Sequence, residues 1–102
     1  MAIKIKIHES YRKVIAIADA DLIGKKFVEG RLQLDITESF YGGQECSKEK
    51  AIKIIKEGAL EDAAFDIVGK ESVEAGIEVG LIEDAPGAII KIQGIPHALS
   101  LL

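Results

Sequence analysis

Tryptophan and asparagine are absent from the 102 residues, cysteine occurs once and proline twice, and the aromatic residues number five. A chain this poor in aromatics must build an aliphatic core, and seventeen isoleucines are there to supply it. The single thiol, Cys46, excludes an internal disulfide and a cysteine-based zinc site within one chain, and it suits a reducing cytoplasm. No apolar stretch is long enough for a membrane span, and the start Met1-Ala2-Ile3-Lys4-Ile5-Lys6 lacks the continuous apolar segment of a signal peptide. Cytoplasmic localisation without membrane insertion is the expectation. The lack of asparagine, beside abundant Ile, Lys and Glu, matches the balance of heat-resistant proteins.

Charge is unevenly spread. The net charge is -4, yet residues 1–34 carry +3 and the remainder -7. The first third can therefore face an anion, while the acidic remainder argues against strong nonspecific binding to nucleic acid. With 102 residues, nearly half of them apolar, one globular domain spanning 1–102 is expected.

Ile3, Ile5 and Ile7 alternate with Lys4, Lys6 and His8, the period of a strand with one face buried. Lys13 to Ala18 suits a second strand returning as a hairpin, with Tyr11 and Arg12 at its tip. Asp19 to Gly30 reads as a turn-rich excursion in which Leu22, Ile23 and Phe27 form a helical turn or pack a loop. Leu32, Leu34 and Ile36 give a third alternating strand, followed by a loop from Glu38 to Gly43. Ser47 is suited to cap a helix reaching about Ala63, whose stripe is Ala51, Ile52, Ile55, Ala59 and Ala63. A strand over Phe65 to Val68 precedes a helix from Glu71 to Val79 that Gly80 stops. A brief strand at Leu81 and Ile82, a last one within Ala88 to Gln93, and a docked apolar tail from Gly94 to Leu102 complete the order βββαβαβ. The fold class expected is α+β: one mixed, curved sheet of about five strands with two helices packed on one face.

The exposed sheet face is expected to show Lys4, Lys6, His8, Gln33, Asp35, Lys91 and Gln93. With no aromatic among them, the common four-stranded RNA-binding sheet is excluded, because its strands carry aromatic platforms for stacked bases. Two strand-to-helix junctions, Gly42-Gly43 before Ser47 and Gly69-Lys70-Glu71-Ser72, are placed where a phosphate cradle would form. Neither has the glycine-lysine loop or the dinucleotide fingerprint, and Glu45 and Glu71 bring negative charge to them. His8, His97 and Cys46 are too few and scattered to specify a metal site or a cysteine nucleophile, so no catalytic residue, metal or cofactor is indicated. Adjacent carboxylates such as Glu61-Asp62 and Glu83-Asp84 read as solvated groups.

Unusual residues concentrate in four segments: His8-Glu9-Ser10-Tyr11-Arg12, Gly24-Lys25-Lys26-Phe27, Glu38-Ser39-Phe40-Tyr41-Gly42, and Gly94-Ile95-Pro96-His97-Ala98. In order and spacing, and with Phe65-Asp66-Ile67-Val68-Gly69, they resemble the archaeal family known as domain of unknown function 424 over nearly the whole chain. The resemblance implies an archaeal cytoplasmic protein and implies no activity. Candidate contacts to a ligand or RNA are His8, Tyr11, Arg12, Lys25, Lys26, Tyr41 and His97. Arg and Lys would hold phosphates while a tyrosine stacks a base, as in a non-catalytic domain acting on RNA or a ribonucleoprotein. Alternatives are an enzyme or sensor for a small phosphorylated or carboxylated ligand, with a histidine titrating and Arg12 clamping the anion, and a structural subunit bound to other proteins. His97, aimed by Gly94 and Pro96, is expected in a turn packed against Phe40-Tyr41.

Overall fold

The computed structural model describes residues 2–100. Strands β1 (Ile3–His8) and β2 (Val14–Asp19) form the expected antiparallel hairpin, with Ile5 opposite Ile17 and His8 opposite Val14. A turn of 3-10 helix at Ala20–Leu22 leads to β3 (Lys26–Glu29) and β4 (Leu32–Asp35). Next come a short helix α1 (Glu38–Tyr41), strand β5 (Gln44–Cys46) and helix α2 (Lys48–Leu60). Strand β6 (Ala64–Val68), helix α3 (Lys70–Glu78) and the hairpin β7 (Ile90–Ile92) and β8 (Ile95–Ser100) complete the order.

The main sheet has six strands in the order β5-β1-β2-β6-β8-β7, while β3 and β4 pair only with each other. Strands β2 and β6 run parallel and the remaining neighbours antiparallel, so the fold is α+β with a mixed sheet. Alternation decides which side each residue serves. Ile3, Ile5, Ile15, Ile17, Phe65, Ile67 and Ala98 face α2 and α3, where Ala51, Ile55, Val73 and Ala75 meet them in one buried cluster. Burying each such large aliphatic side chain is worth about 1.5–3 kcal/mol. Both longer helices therefore cover one face, as expected.

The opposite face is less wet than its alternation suggests. Ala16, Ala18 and Val68 form a low floor on which Leu22, Leu34, Ile36, Tyr41 and Ile92 pack as a second core. The strand at Leu32–Asp35 thus leaves the main sheet and roofs this face with β3, so Gln33 and Asp35 are not on the sheet surface. A strand also occupies part of the expected excursion, because Lys26–Glu29 finds its partner in β4. The expected loop at Phe40-Tyr41 is α1, capped by the Thr37 hydroxyl, which accepts from the Phe40 amide at 3.2 Å. Leu81 and Ile82 form no strand. The apolar tail is β8 as far as Ser100, which places His97 in a strand and moves the turn to Gln93-Gly94; Leu101 and Leu102 lie outside the described residues.

Helix starts follow the caps. The Ser47 hydroxyl accepts from the Lys50 amide at 3.2 Å. At α3 the cap comes from a distant strand: Asp19 accepts from the Glu71 and Ser72 amides at 3.2 and 2.8 Å and from the Ser72 hydroxyl at 2.7 Å. Gly69, at φ 105°, permits this approach, since a Cβ there would lie 2.4 Å from the Asp19 carboxyl carbon.

Candidate functional site

The low floor explains how a polar group enters the second core. Because β2 contributes only methyl groups at Ala16 and Ala18, there is room above it for Tyr41, which is 4% exposed. Its hydroxyl reaches the neighbouring strand and donates to Asp66 Oδ1 at 2.8 Å. His97 stands on the other side, where β8 runs beside β6, and its Nε2 donates to the same oxygen at 2.8 Å. Asp66 and His97 keep 20% and 22% of their side chains exposed. Burial first, then the negative charge of Asp66 and the hydrogen bond to it, hold the Tyr41 hydroxyl well above the ordinary range of tyrosine.

A second pair lies at the rim. His8 stacks on Phe40 with ring centres 4.7 Å apart, and its Nε2 is 2.8 Å from the Phe40 carbonyl oxygen. A carbonyl only accepts, so Nε2 carries a proton and donates it to Phe40. Lys6 closes the same corner by donating to the Ser39 carbonyl at 2.7 Å, and Phe40 meets Tyr41 edge-on at 4.9 Å. Helix α1 thus carries Phe40 to His8 and Tyr41 to Asp66, joining two strands of the candidate residues through four positions of chain.

Of the seven residues singled out from sequence, His8, Tyr41 and His97 are brought to this one face, and His97 meets Tyr41 through Asp66. Tyr11 and Arg12 sit beyond the ends of β1 and β2; Tyr11 is fully exposed, and Arg12 Nε donates to the Asp62 carbonyl at 3.0 Å. Lys25 and Lys26 lie past the other end of β2, exposed at the start of β3. Tyr41 is too deeply covered to stack a base. Asp66 was the central residue missed, although its signal was present: a carboxylate inside the apolar run Ala63 to Val68 requires polar partners.

In the Asp66–His97 pair the carboxylate engages Nε2 of the ring and not Nδ1. The grooves of about 520, 400 and 430 Å³ are lined by none of Tyr41, Asp66, His97 and His8. No group of three or more His, Cys, Asp or Glu side chains among the described residues is placed to hold a metal ion. No helix among them is long and apolar enough to cross a membrane.

A model of the family described as "Protein of unknown function (DUF424)" matches residues 7–101. The chain is similar to an uncharacterized conserved protein from Methanopyrus kandleri, known from its crystal structure, at 26% identity and a TM-score of 0.85 over 97% of this chain and 90% of that one. No curated protein matches.

Proposed function

The chain belongs to the DUF424 family, and we propose that it is a non-catalytic binding domain for RNA, free or within a ribonucleoprotein, in an archaeal cytoplasm. The observation that carries the reading is the β1–β2 tip, where Tyr11 is fully exposed beside Arg12. An aromatic ring without protein contacts offers a stacking surface to any unpaired base, and the adjacent guanidinium offers a phosphate partner. The Arg12 Nε bond to the Asp62 carbonyl orients that guanidinium without neutralising it. His8 on its Phe40 stack ends β1 just before this tip, while Lys25 and Lys26 follow the far end of β2, which is about 20 Å long at strand rise.

The alternative of an enzyme or sensor for a small anionic ligand draws on Asp66–His97, but its intended clamp, Arg12, is held at the tip by Asp62. The amides at the start of α3, one candidate phosphate cradle, are occupied by Asp19. Binding of fluorescent single-stranded RNA at low salt tests the RNA reading. Affinity should fall with salt, and Tyr11→Ala should weaken it by about 5- to 100-fold, the cost of a lost stacking partner. Absence of binding at low salt to both RNA and ribosomal subunits would overturn it.

A further inference from the structure

One edge of the main sheet is only partly closed. Strand β5 pairs with β1 at Ile3, Lys4 and Ile5 and goes no further. The chain before β5 turns away at Gly42-Gly43 into α1, and Gly43 lies so close to β1 that a Cβ there would overlap the Ile5 carbonyl oxygen. The Ile5 carbonyl therefore points to the β5 side. At the other end of the register, the Ala20 amide donates to the Ala2 carbonyl at 3.0 Å, so even-numbered residues of this stretch bond toward β2. By alternation Ile7 turns its amide and carbonyl to the open edge, where β5 supplies no partner. Its side chain is 47% exposed on the helix side of the sheet.

A groove of about 520 Å³ runs along this edge between β1, β5 and α2, lined among others by Ile5, Ile7, Cys46, Lys50 and Ile54. Its walls combine a strand edge that needs hydrogen bonds with an apolar trough that needs covering. The charge at its rim is also unbalanced. Glu45 is paired with Lys4 at 3.9 Å, whereas Lys50 is exposed and makes no salt bridge among the described residues.

We propose that this groove receives an extended segment of a partner protein that adds to β1 at Ile7, sets an apolar side chain between Ile7 and Ile54, and places a carboxylate against Lys50. The edge dictates an extended backbone, the trough dictates an apolar residue, and the uncompensated ammonium dictates the acidic one. Such recognition takes its affinity from main-chain bonds and its selectivity from alternate side chains. It is independent of RNA contact at the β1–β2 tip.

The test uses two synthetic octapeptides that alternate valine and threonine, one with a central glutamate and one with lysine there. The glutamate peptide should slow amide exchange at Ile7 and protect Cys46, the chain's one thiol and a residue of the groove wall, from alkylation. Lys50→Glu, an exposed change that leaves the fold intact, should reverse the preference between the peptides, by about two- to fivefold for each. Ile54→Asp should abolish protection, with circular dichroism confirming the fold. Unchanged exchange at Ile7 with millimolar peptide overturns the proposal, as does equal binding of both peptides. Concentration-dependent dimerisation that protects Ile7 without peptide overturns it in favour of a second copy as occupant.

Discussion

The two faces of the central sheet are made by the same strands and have opposite characters. Toward α2 and α3, β2 and β6 present Ile15, Ile17, Phe65 and Ile67, and that side closes as an apolar layer. Toward α1 and the β3–β4 hairpin, the same strands present Ala16, Ala18 and Asp66, and that side closes around a tyrosine, a carboxylate and an imidazole. The thick face is stabilised by buried area. The thin face depends on the short side chains that let Tyr41 come down to Asp66. Its carboxylate and imidazole, Asp66 and His97, keep 20% and 22% of their side chains exposed.

The contrast breaks most visibly on the thick side. Ile17→Ala should cost about 2–5 kcal/mol in chemical denaturation, because the fully buried side chain leaves a cavity under α2 and α3. A cost no greater than that of an exposed substitution would mean that the helices do not seal this face. Asp66→Ala asks the corresponding question of the thin side. It strands the Tyr41 hydroxyl and the His97 ring without their shared acceptor and should cost about 1–3 kcal/mol. His97 and Tyr41 resonances should both shift in that variant, whereas signals of the α2–α3 layer should not.

Tyr41→Phe sharpens the comparison with the smallest loss, about 0.5–1.5 kcal/mol for one hydrogen bond. Its pH dependence is more informative. The folded Tyr41 hydroxyl titrates above its ordinary value of 10.0, so the unfolded chain releases this proton first as pH rises. The contribution is complete below pH 10.0 and declines above it as the folded chain retains a proton that the unfolded chain loses. The Phe variant should show a shallower fall in stability above pH 10.0, and equal slopes in the two proteins would contradict the Tyr41–Asp66 contact.

Much of the thick face was legible in the residue order. Period-two isoleucines mark β1, the stripe from Ala51 to Ile55 marks α2, and Ser47 marks its start, since each signal arises within a few neighbouring residues. The thin face was harder. Leu32, Leu34 and Ile36 alternate as any half-buried strand does, and alternation cannot tell a strand of the main sheet from a hairpin laid across it. Likewise Phe40 and Tyr41 read as a loop because one turn of helix is too short to display a period. Among the candidate site residues, His97 and Tyr41 stand out in the sequence through their unusual surroundings. Asp66, 25 positions from Tyr41 and 31 from His97, was passed over despite its apolar neighbours.

What the sequence determined by itself was local: which residues extend, which coil, where α2 begins, and that the core is aliphatic. These follow from side-chain spacing, capping hydroxyls and the near absence of aromatics. Only the tertiary structure decided that Asp19 caps a helix 52 and 53 positions away, that Tyr41 and His97 share one carboxylate oxygen, and that Ile7 stands on an open edge. The physical reason is that a polar group entering a core is satisfied by whichever partners the strand order brings beside it. Strand order is a property of the whole packed sheet, set by contacts between segments far apart in the chain.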